Sequence, residues 1–579
     1  ALPSQRLQGE TACAALQSPA ATLAPGETAR WTFFGVYQAN HPDASSDNDL
    51  AVVARAEQAA REFLPGDVTV KPAALALPAR ARALAGDMLT DKEIAARWRR
   101  RIHVERRETG VLSFFTPGRV YARHVALREK DRLTPRRHGA LLRSGDSMML
   151  DDDLLCATAW MHGVFAAQLT IGNTSLHKLF SVSRDPYNVT RASGLRMLVE
   201  IDGEWRLLST PSAFDMGLSD CRWIYKLGAR TIAVSAMAAG DGPAMLWRVT
   251  VEGKPCRLLI FGQLVLGERE FGAAGRVEID ARKKRVTFRP DANDRWAQEY
   301  PHAAYHLVTS APRRVEAIGG DELLFEDGRR RGLGYVALRT KPIGDFAFAV
   351  VGSMTDPREA RALADAYAAG VDEAAMLKPA DRFWRKLTRG ARIESKSEDE
   401  EAQALDTILP WLAHDAMIHL TAPHGLEQYT GAAWGTRDVC QGPLEYLLTF
   451  EHDEAAKKIL RVVFAQQYET HGDWPQWFML EPYSNIQASE AHGDVIVWPL
   501  KALCDYIEAT GDVGFLEEEI AWRRESDFVK TAHKDSVEAH VEKLLATVAA
   551  RSVEGTRLIR YGNGDWNDSF QPVDPMKRD

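Results

Sequence analysis

The sequence predicts a multidomain β plus α protein: a β-sandwich region at residues 1–355, a helical linker at 356–399, and the first part of an (α/α)6 barrel at 400–579. Three observations predict this arrangement. Apolar and polar residues alternate between turns in the first two thirds, an alanine-rich stretch with helical spacing follows, and helical periodicity with long loops fills the last third. The 579 residues, 45% of them hydrophobic, are enough for about two to four domains with buried cores.

The first region is predicted to consist of many short strands. Residues 276–290 (RVEIDARKKRVTFRP) alternate apolar and polar residues on both sides of a polar turn, which predicts a hairpin. Residues 333–353 repeat this pattern around a Pro-Ile-Gly turn, and residues 28–37 (TARWTFFGVY) follow a Pro-Gly-Glu turn. Many strands with few helical runs between them favour a sandwich.

The rest of the chain is predicted to be helical. Residues 356–387 are alanine-rich and lead through the polar stretch 394–401 (ESKSEDEE) into about six further helices. A Thr-Gly-Asp sequence closes the helix at 500–512, with Gly511 just past its end. Three apolar stripes at helical spacing mark helices in this part of the chain: Leu405, Ile408, Leu409 and Leu412; Ala455, Ile459, Leu460 and Val463; and Val537, Val541, Leu544, Leu545 and Val548.

Composition excludes several classes of function. The net charge is −8, and the basic patches at 97–101 and 328–332 are short, so they indicate exposed faces and not a nucleic-acid site. No apolar run reaches the roughly 18 residues of a membrane span, and the first residues lack a signal peptide pattern. Six scattered cysteines without a CxxC motif fit a reducing compartment. We therefore expect a cytoplasmic protein without metal, cofactor, membrane or nucleic-acid partner; the sequence carries no signal of oligomeric state.

Four loops of the helical region combine aromatic side chains with carboxylates, amides or guanidinium groups. They are residues 431–443, 471–479, 490–499 and 561–572. This mixture suits a carbohydrate site, because the apolar face of a pyranose stacks on tryptophan while its hydroxyls need polar partners. Structural interpretations stay open: each tryptophan could lie in the core, Arg437 and Asp438 could form an ion pair, and Asp565 or Asp568 could cap a turn. Four such loops together favour one shared pocket.

These segments resemble glycoside hydrolase family 94, the inverting disaccharide and oligosaccharide phosphorylases, through GTRD at 435–438 and GDWND at 564–568. Within that family, the loops and the segments 183–198 and 214–226 look like the 1,2-β-oligoglucan phosphorylases, so the resemblance covers nearly the whole chain. Relatives that act on cellobiose carry a second acid where this chain has Gln441-Gly442, which argues against cellobiose as the substrate. Family members begin earlier and continue beyond this motif. The sequence thus looks like an internal fragment, and we expect these 579 residues alone to be inactive.

The resemblance implies a mechanism with one carboxylic acid. Phosphate is already an anion, so a phosphorylase needs an acid and a cradle of donors but no second carboxylate as base. By resemblance the acid is Asp568, with Asp565 as its neighbour. The other substrate-binding candidates are Trp566, Arg437 and Asp438 around the glucosyl unit at the cleavage site, Gln441, and, on the chemistry of the loops alone, Trp474 and Trp477 towards the reducing side.

The resemblance implies reversible phosphorolysis of β-1,2-linked glucose oligomers to α-glucose 1-phosphate and a shortened chain, with inorganic phosphate as co-substrate and the phosphate ligands in a further C-terminal part. Three alternatives stay open. A β-1,2-glucan hydrolase would need a base such as Asp494 or Glu490 opposite Asp568. A fragment of a cyclic β-1,2-glucan synthase would share the DWND motif, and a non-catalytic glucan-binding protein would keep the aromatic loops.

Overall fold

The fold is taken from a computed structural model that describes residues 16–31, 33, 35, 47–62, 75–108, 110–134, 137–148, 153–172, 174–182, 191–267, 275–396, 399–421, 433–488 and 491–559. Residues 1–75 form one unit and residues 76–579 another. The first unit contains the helix α1 (Leu50–Glu62). Among the described residues, no helix is long and apolar enough to cross a membrane.

Strands dominate the described residues from 82 to 353, and four further strands lie in the helical region. In chain order they are β1 (Arg82–Leu84), β2 (Ile102–Arg107), β3 (Gly110–Thr116), β4 (Arg123–Leu127), β5 (Gly139–Arg143), β6 (Leu155–Trp160), β7 (Val164–Ile171), β8 (Thr174–Ser181), β9 (Leu195–Ile201), β10 (Glu204–Leu208), β11 (Ala213–Met216), β12 (Asp220–Leu227), β13 (Arg230–Ala238), β14 (Ala244–Glu252), β15 (Leu258–Gln263), β16 (Arg276–Asp280), β17 (Arg285–Arg289), β18 (Ala304–Thr309), β19 (Val315–Gly319), β20 (Tyr335–Thr340), β21 (Asp345–Ser353), β22 (Trp434–Gly435), β23 (Trp477–Phe478), β24 (Glu519–Arg523) and β25 (Lys530–Ser536).

Helices dominate the described residues after 356, and four short helices lie among the strands before it. The described helices of the second unit are α2 (Leu77–Arg80), α3 (Asp91–Arg97), α4 (Arg128–Leu133), α5 (Arg295–Glu299), α6 (Pro357–Ala369), α7 (Glu373–Leu387), α8 (Glu400–Thr421), α9 (Thr436–Cys440), α10 (Gly442–Thr449), α11 (Asp453–Phe464), α12 (Trp498–Thr510) and α13 (Val537–Ala550).

The strands up to β21 form two large sheets that share one core. The first sheet has the order β19-β20-β15-β9-β7-β6-β5, with β8 on β7 and β10 on β9; the second has the order β16-β17-β18-β21-β14-β13-β12-β11-β4-β3-β2. Buried residues of both sheets build a single apolar cluster, in which the rings of Phe165 and Trp223 lie 4.9 Å apart. The indole of Trp247 donates to the carbonyl oxygen of Phe165 across the same interface, at 3.1 Å. This confirms a β-sandwich-like architecture.

The predicted hairpin at 276–290 is confirmed, since β16 and β17 pair as antiparallel strands. The segment 333–353 also contains two strands, but the prediction that they form a hairpin is wrong. The strand β20 pairs with β15 and β19 in the first sheet, whereas β21 pairs with β14 and β18 in the second. Alternation reports one buried face and not the identity of the partner strand, so the same pattern fits a connection that crosses between two sheets.

The start of the chain differs from the predicted pattern. A turn does form at Pro25–Gly26, closed by the backbone bond from Glu27 to Ala24. The described residues among 28–37 have no strand, however, and the first described regular element is helical. Aromatic residues in alternation are not sufficient for a strand without a neighbouring strand to pair with.

Two helices connect the sandwich to the helical region. Asp356 caps α6, which buries Ala360, Ala364 and Tyr367 on the second sheet because these residues share one helical face. The helix α7 lies so close to the sandwich that a Cβ atom on Gly240 would come within 2.0 Å of the backbone nitrogen of Ala380. Its C-terminal half enters the core of the helical region through Phe383, Trp384 and Leu387. The chain thus passes from one core to the other along a single helix.

The helical region matches the predicted number of helices among the described residues, α8 to α13. The stripe on α11 is buried, and α12 ends at Gly511 in the left-handed conformation, with φ of 71°. The prediction of a buried stripe on α8 is wrong. Leu405, Ile408 and Leu412 are exposed, whereas a different face of the helix, with Ala413, Met417 and Leu420, is buried. One residue rotates a helix by about 100°, so two partly apolar faces are hard to rank by spacing. The barrel itself stays a prediction.

Candidate functional site

The segment that carries Arg437 is fixed by the loop at 471–479. The short strands β22 and β23 pair as antiparallel strands, with Trp434 opposite Phe478 and Gly435 opposite Trp477. The helix α9 follows immediately, and its first residue, Thr436, donates from its backbone nitrogen to the carbonyl oxygen of Gln476 at 3.0 Å. Its hydroxyl donates to the carbonyl oxygen of Pro475 at 2.6 Å.

Gln476 also binds the third predicted loop. Its side-chain Oε1 accepts a hydrogen bond from the backbone nitrogen of His492 at 2.9 Å, and its Nε2 lies 3.4 Å from the His492 ring nitrogen Nδ1. One glutamine therefore joins three segments: 433–443 through its backbone oxygen, 491–499 through its side chain, and its own loop at 471–479. We call this meeting point of three loops the loop junction.

Arg437 lies at the loop junction between a carboxylate and an aromatic ring. Its guanidinium nitrogen Nη1 is 3.5 Å from Oδ2 of Asp494, and its Cζ atom lies 5.2 Å from the centre of the Trp498 ring. The indole nitrogen of Trp498 donates to the same Oδ2 atom at 3.0 Å. The side chains of Arg437 and Asp494 keep 27% and 41% of their surface exposed, so the pair is only partly withdrawn from water.

Asp438 and Gln441 occupy the same short stretch as Arg437 and are both half-buried. The carboxylate of Asp438 turns back towards Gly435, where a Cβ atom would come within 2.1 Å of Oδ2, so a side chain at this position would displace the carboxylate. Gln441 precedes α10, and its backbone nitrogen bonds to the carbonyl oxygen of Asp438 at 3.3 Å. A cation, a carboxylate and an amide thus follow one another within five residues, which is a donor and acceptor set suited to sugar hydroxyls.

The two tryptophans of the 471–479 loop have different environments. Trp474 is fully buried in the helical core, where its indole nitrogen donates to the carbonyl oxygen of Val463 at 2.9 Å and its ring packs edge-on against Phe464. Its ring face is closed to a sugar, so the structural interpretation holds for this residue. Trp477 is half-buried and lies opposite Gly435, which has no side chain to cover the indole.

The fourth predicted loop falls outside the described residues. This applies to the whole of 561–572, including Asp565, Trp566 and Asp568, and also to Glu490. The three described loops meet as the shared-pocket hypothesis requires, and the position of the predicted acid relative to them stays a prediction.

A nearby thiol does not add a nucleophile to the site. Cys440 is fully buried at the end of α9, and burial raises the pKa of its thiol well above the ordinary value. The thiol therefore stays protonated near neutral pH, and only a thiolate would be nucleophilic.

Residues 214–226, which also resemble the family, lie in the sandwich and contribute Asp215 and Asp220 to an ion cluster. Arg123 donates to Asp215 at 2.6 Å and to Asp220 at 2.8 Å, while Arg119 donates to Asp220 and to Asp381 of α7, both at 3.1 Å. Burial alone would raise the pKa of the Asp220 carboxyl, but the guanidinium groups of Arg123 and Arg119 outweigh it and hold the pKa below its ordinary value. We call these five residues the sandwich ion cluster.

Gln476 is the residue of the junction that inspection of the sequence missed. It stands between Trp474 and Trp477 as an amide in an aromatic loop, which is the only signal it offers. Asp494, the possible hydrolytic base, contacts Arg437 and Trp498, and His492 contacts Gln476.

Comparison with known proteins relates the chain to carbohydrate phosphorylases. Residues 98–352 match the model of the glycoside phosphorylase supersandwich domain. The 1,2-beta-oligoglucan phosphorylase of Listeria innocua serovar 6a is 33% identical over 576 residues, which is 99% of this chain and 50% of the relative. The chain thus spans about half the length of this curated relative.

Two solved structures show weaker similarity. A bacterial glucoamylase complexed with acarbose has a TM-score of 0.41 at 9% identity, covering 68% of this chain and 63% of the glucoamylase. A family 92 inverting mannosidase from Bacteroides thetaiotaomicron has a TM-score of 0.30 at 10% identity, covering 66% of this chain and 65% of the mannosidase. At these TM-scores neither structure defines the fold of this chain.

Proposed function

We propose that the chain belongs to an enzyme that cleaves β-1,2-linked glucose oligomers with inorganic phosphate. It is related to the glycoside phosphorylases, and its residues 98–352 match their supersandwich domain. The observation that carries the proposal is the 33% identity to a 1,2-beta-oligoglucan phosphorylase over 99% of the chain. The loop junction supports it, because three loops with carbohydrate-binding chemistry meet around Gln476. The products are α-glucose 1-phosphate and a glucan shortened by one unit.

The proposed reaction inverts the configuration at the anomeric carbon. Asp568 donates its proton to the glycosidic oxygen, whose bond to C1 breaks, while a phosphate oxygen attacks C1 from the opposite face and forms the new C1–O bond. Displacement at a β linkage with inversion gives the α phosphate. The reverse reaction uses the same groups, with Asp568 as the base that accepts the proton from the attacking hydroxyl.

The remaining predicted residues are assigned to binding. Arg437 and Asp438 bind hydroxyls of the glucosyl unit that is cleaved, and Trp566 stacks against it. Gln441 supplies an amide where relatives acting on cellobiose carry an acid, and Trp477 offers its half-buried indole towards the reducing side. Trp474 is left out of the proposal because it is buried in the core. No phosphate ligand is assigned among these residues.

The proposed enzyme has an (α/α)6 catalytic barrel, of which residues 400–579 supply the first part, and it acts in the cytoplasm. The described cysteines are unpaired thiols, four of them buried, which suits a reducing compartment. Inorganic phosphate is its co-substrate, and the reaction as written uses no metal or cofactor.

Substitution of the proposed acid tests this function. We expect Asp568→Asn, made in the protein expressed from its complete gene, to lower phosphorolysis of β-1,2-glucotriose by about 100- to 10,000-fold while glucan binding by calorimetry changes little. The asparagine keeps the size and polarity of the side chain but has no proton of suitable acidity. Phosphorolysis close to the wild-type rate would remove Asp568 from the role of acid, and glucan binding without turnover in the wild-type protein would favour a binding protein.

A further inference from the structure

The loop junction contains a carboxylate whose role the proposed function does not assign. We propose that Asp494 is a positioning residue: it holds the guanidinium group of Arg437 in the orientation that binds the glucosyl unit. This inference rests on the proposed function, because it concerns the residue that the proposal places at the cleaved glucosyl unit.

The contacts of one oxygen atom carry the inference. Oδ2 of Asp494 accepts the indole hydrogen of Trp498 at 3.0 Å and lies 3.5 Å from Nη1 of Arg437. The Trp498 ring lies beneath the guanidinium group, with Cζ at 5.2 Å from the ring centre. The three side chains therefore fix one another: the tryptophan orients the carboxylate, and the carboxylate and the ring together orient the arginine.

The backbone around Asp494 is held by the same glutamine that holds the arginine segment. Gln476 accepts from Thr436, the residue before Arg437, and also from His492, two residues before Asp494. The carbonyl oxygen of Asp494 accepts from Val497 in the 3-10 turn that leads into α12. Because both ends of the ion pair are tied to Gln476, the separation of Arg437 and Asp494 is set by backbone contacts and not by long, mobile side chains alone.

The distance and exposure of the pair suit binding better than structural support. The contact between Nη1 of Arg437 and Oδ2 of Asp494 is 3.5 Å long, which is looser than a paired bidentate bridge. With 27% of its side chain exposed, Arg437 is accessible from the junction. A ligand hydroxyl thus meets a cation that is oriented in advance, which lowers the cost of ordering it on binding.

The positioning role differs from that of the hydrolytic base which the sequence left open. A base must direct an oxygen at the attacking water and take its proton. Oδ2 of Asp494 is engaged by the indole of Trp498 and the guanidinium group of Arg437. The two roles predict different dependence of cleavage on phosphate and on pH.

Three variants of the protein expressed from its complete gene test the assignment. We expect Asp494→Asn to lower kcat/KM for phosphorolysis of β-1,2-glucotriose by about 10- to 100-fold, as for a misplaced binding group. Asp494→Glu should recover part of that loss, since it keeps the charge. The matched control is Asp505→Asn on the following helix α12, where Asp505 forms a half-exposed ion pair with Lys501; its kcat/KM should stay at the wild-type value.

The pH profile separates positioning from proton transfer. A positioning role predicts that Asp494→Asn lowers kcat/KM by the same factor at every pH, so that the limbs of the profile keep their midpoints. Loss of a limb in Asp494→Asn, or an unchanged kcat/KM, would overturn the inference, and so would phosphate-independent sugar release that Asp494→Asn abolishes.

Failure of the proposed function gives a different result. If the wild-type protein forms no α-glucose 1-phosphate, the phosphorylase proposal fails, and the inference about Asp494 is then tested by glucan binding alone. Calorimetry with β-1,2-glucotriose should show binding weakened about 10-fold or more in Asp494→Asn and in Arg437→Met, and unchanged in Asp505→Asn. Equal binding by all these variants would overturn the positioning role independently of any turnover.

Discussion

Two arginine and carboxylate clusters, each in a segment that resembles the same family, have different geometries. In the sandwich ion cluster, Arg123 contacts Asp215 and Asp220 at 2.6 and 2.8 Å, and its side chain is only 15% exposed. At the loop junction, Arg437 meets Asp494 at 3.5 Å with nearly twice that exposure. The first arginine has both carboxylates at hydrogen-bonding distance on paired strands, whereas the contact of the second arginine with Asp494 is longer and joins two loops.

The two clusters differ in how completely the protein compensates their charges. Arg119 and Arg123 join strands β4, β11 and β12 to helix α7, so the charges of the sandwich ion cluster compensate one another within the protein. The side chain of Arg437 lies between Asp494 and the Trp498 ring and keeps 27% of its surface exposed. Residue identity alone does not distinguish the two, since both lie in conspicuous Arg and Asp motifs.

The largest expected effect is on stability, from the sandwich ion cluster. Arg123→Met leaves the buried carboxylates of Asp215 and Asp220 without their main counter-ion, and we expect the free energy of unfolding to fall by about 3 to 5 kcal/mol. Denaturant unfolding followed by tryptophan fluorescence measures this loss. A change below about 1 kcal/mol would mean that the cluster is no more structural than a surface ion pair.

The next effect compares the two tryptophans of one loop. Trp474→Ala removes a fully buried ring and should cost about 3 to 5 kcal/mol of unfolding free energy, whereas Trp477→Ala should cost clearly less. Glucan binding should weaken in Trp477→Ala. Equal stability losses in the two variants would contradict the division into a core tryptophan and a site tryptophan.

Arg437 should show the opposite balance to Arg123. We expect Arg437→Met to lower kcat/KM for phosphorolysis by about 100-fold or more, with an unfolding temperature close to that of the wild type. Steady-state kinetics measures the change in kcat/KM, and thermal unfolding of the same preparation measures the unfolding temperature. A large stability loss with kinetics unchanged in the folded fraction would place Arg437 with the structural arginines.

The smallest effect is the pH dependence of stability. The pKa of Asp220 is lowered in the folded protein, so its ionised form stabilises the fold. That contribution is fully present above the unfolded pKa of about 3.9 and is lost as the pH falls through the folded-state pKa. Stability should therefore fall less steeply below pH 4 in Asp220→Asn than in the wild type. Equal slopes in urea unfolding at several acidic pH values would contradict the depressed pKa.

Local patterns predicted much of the fold. The hairpin at 276–290, the helix α11 and the glycine end of α12 follow from alternation, apolar spacing and a left-handed glycine, all of which are local. The predictions of the strand pairing of β20 and β21 and of the buried face of α8 were wrong. Both features depend on packing against segments that are distant in the sequence. The hairpin of β24 and β25 had no clear local signal.

The candidate site was predictable as a set of loops but not as contacts. Aromatic and polar residue types indicated that the loops at 431–443, 471–479 and 490–499 share a site, and Gln476 joins them. The sequence did not show that Trp474 lies in the core or that Asp494 faces Arg437, because both follow from packing between segments far apart in the chain.

The measurement that tests the central proposal most directly is the phosphate dependence of glucan cleavage. The protein expressed from its complete gene is incubated with β-1,2-glucotriose with and without inorganic phosphate, and α-glucose 1-phosphate and free glucose are quantified. We expect α-glucose 1-phosphate to appear only with phosphate, together with the disaccharide and without free glucose as a first product. Glucose release at the same rate without phosphate would contradict the phosphorylase and require a hydrolase with a second carboxylate.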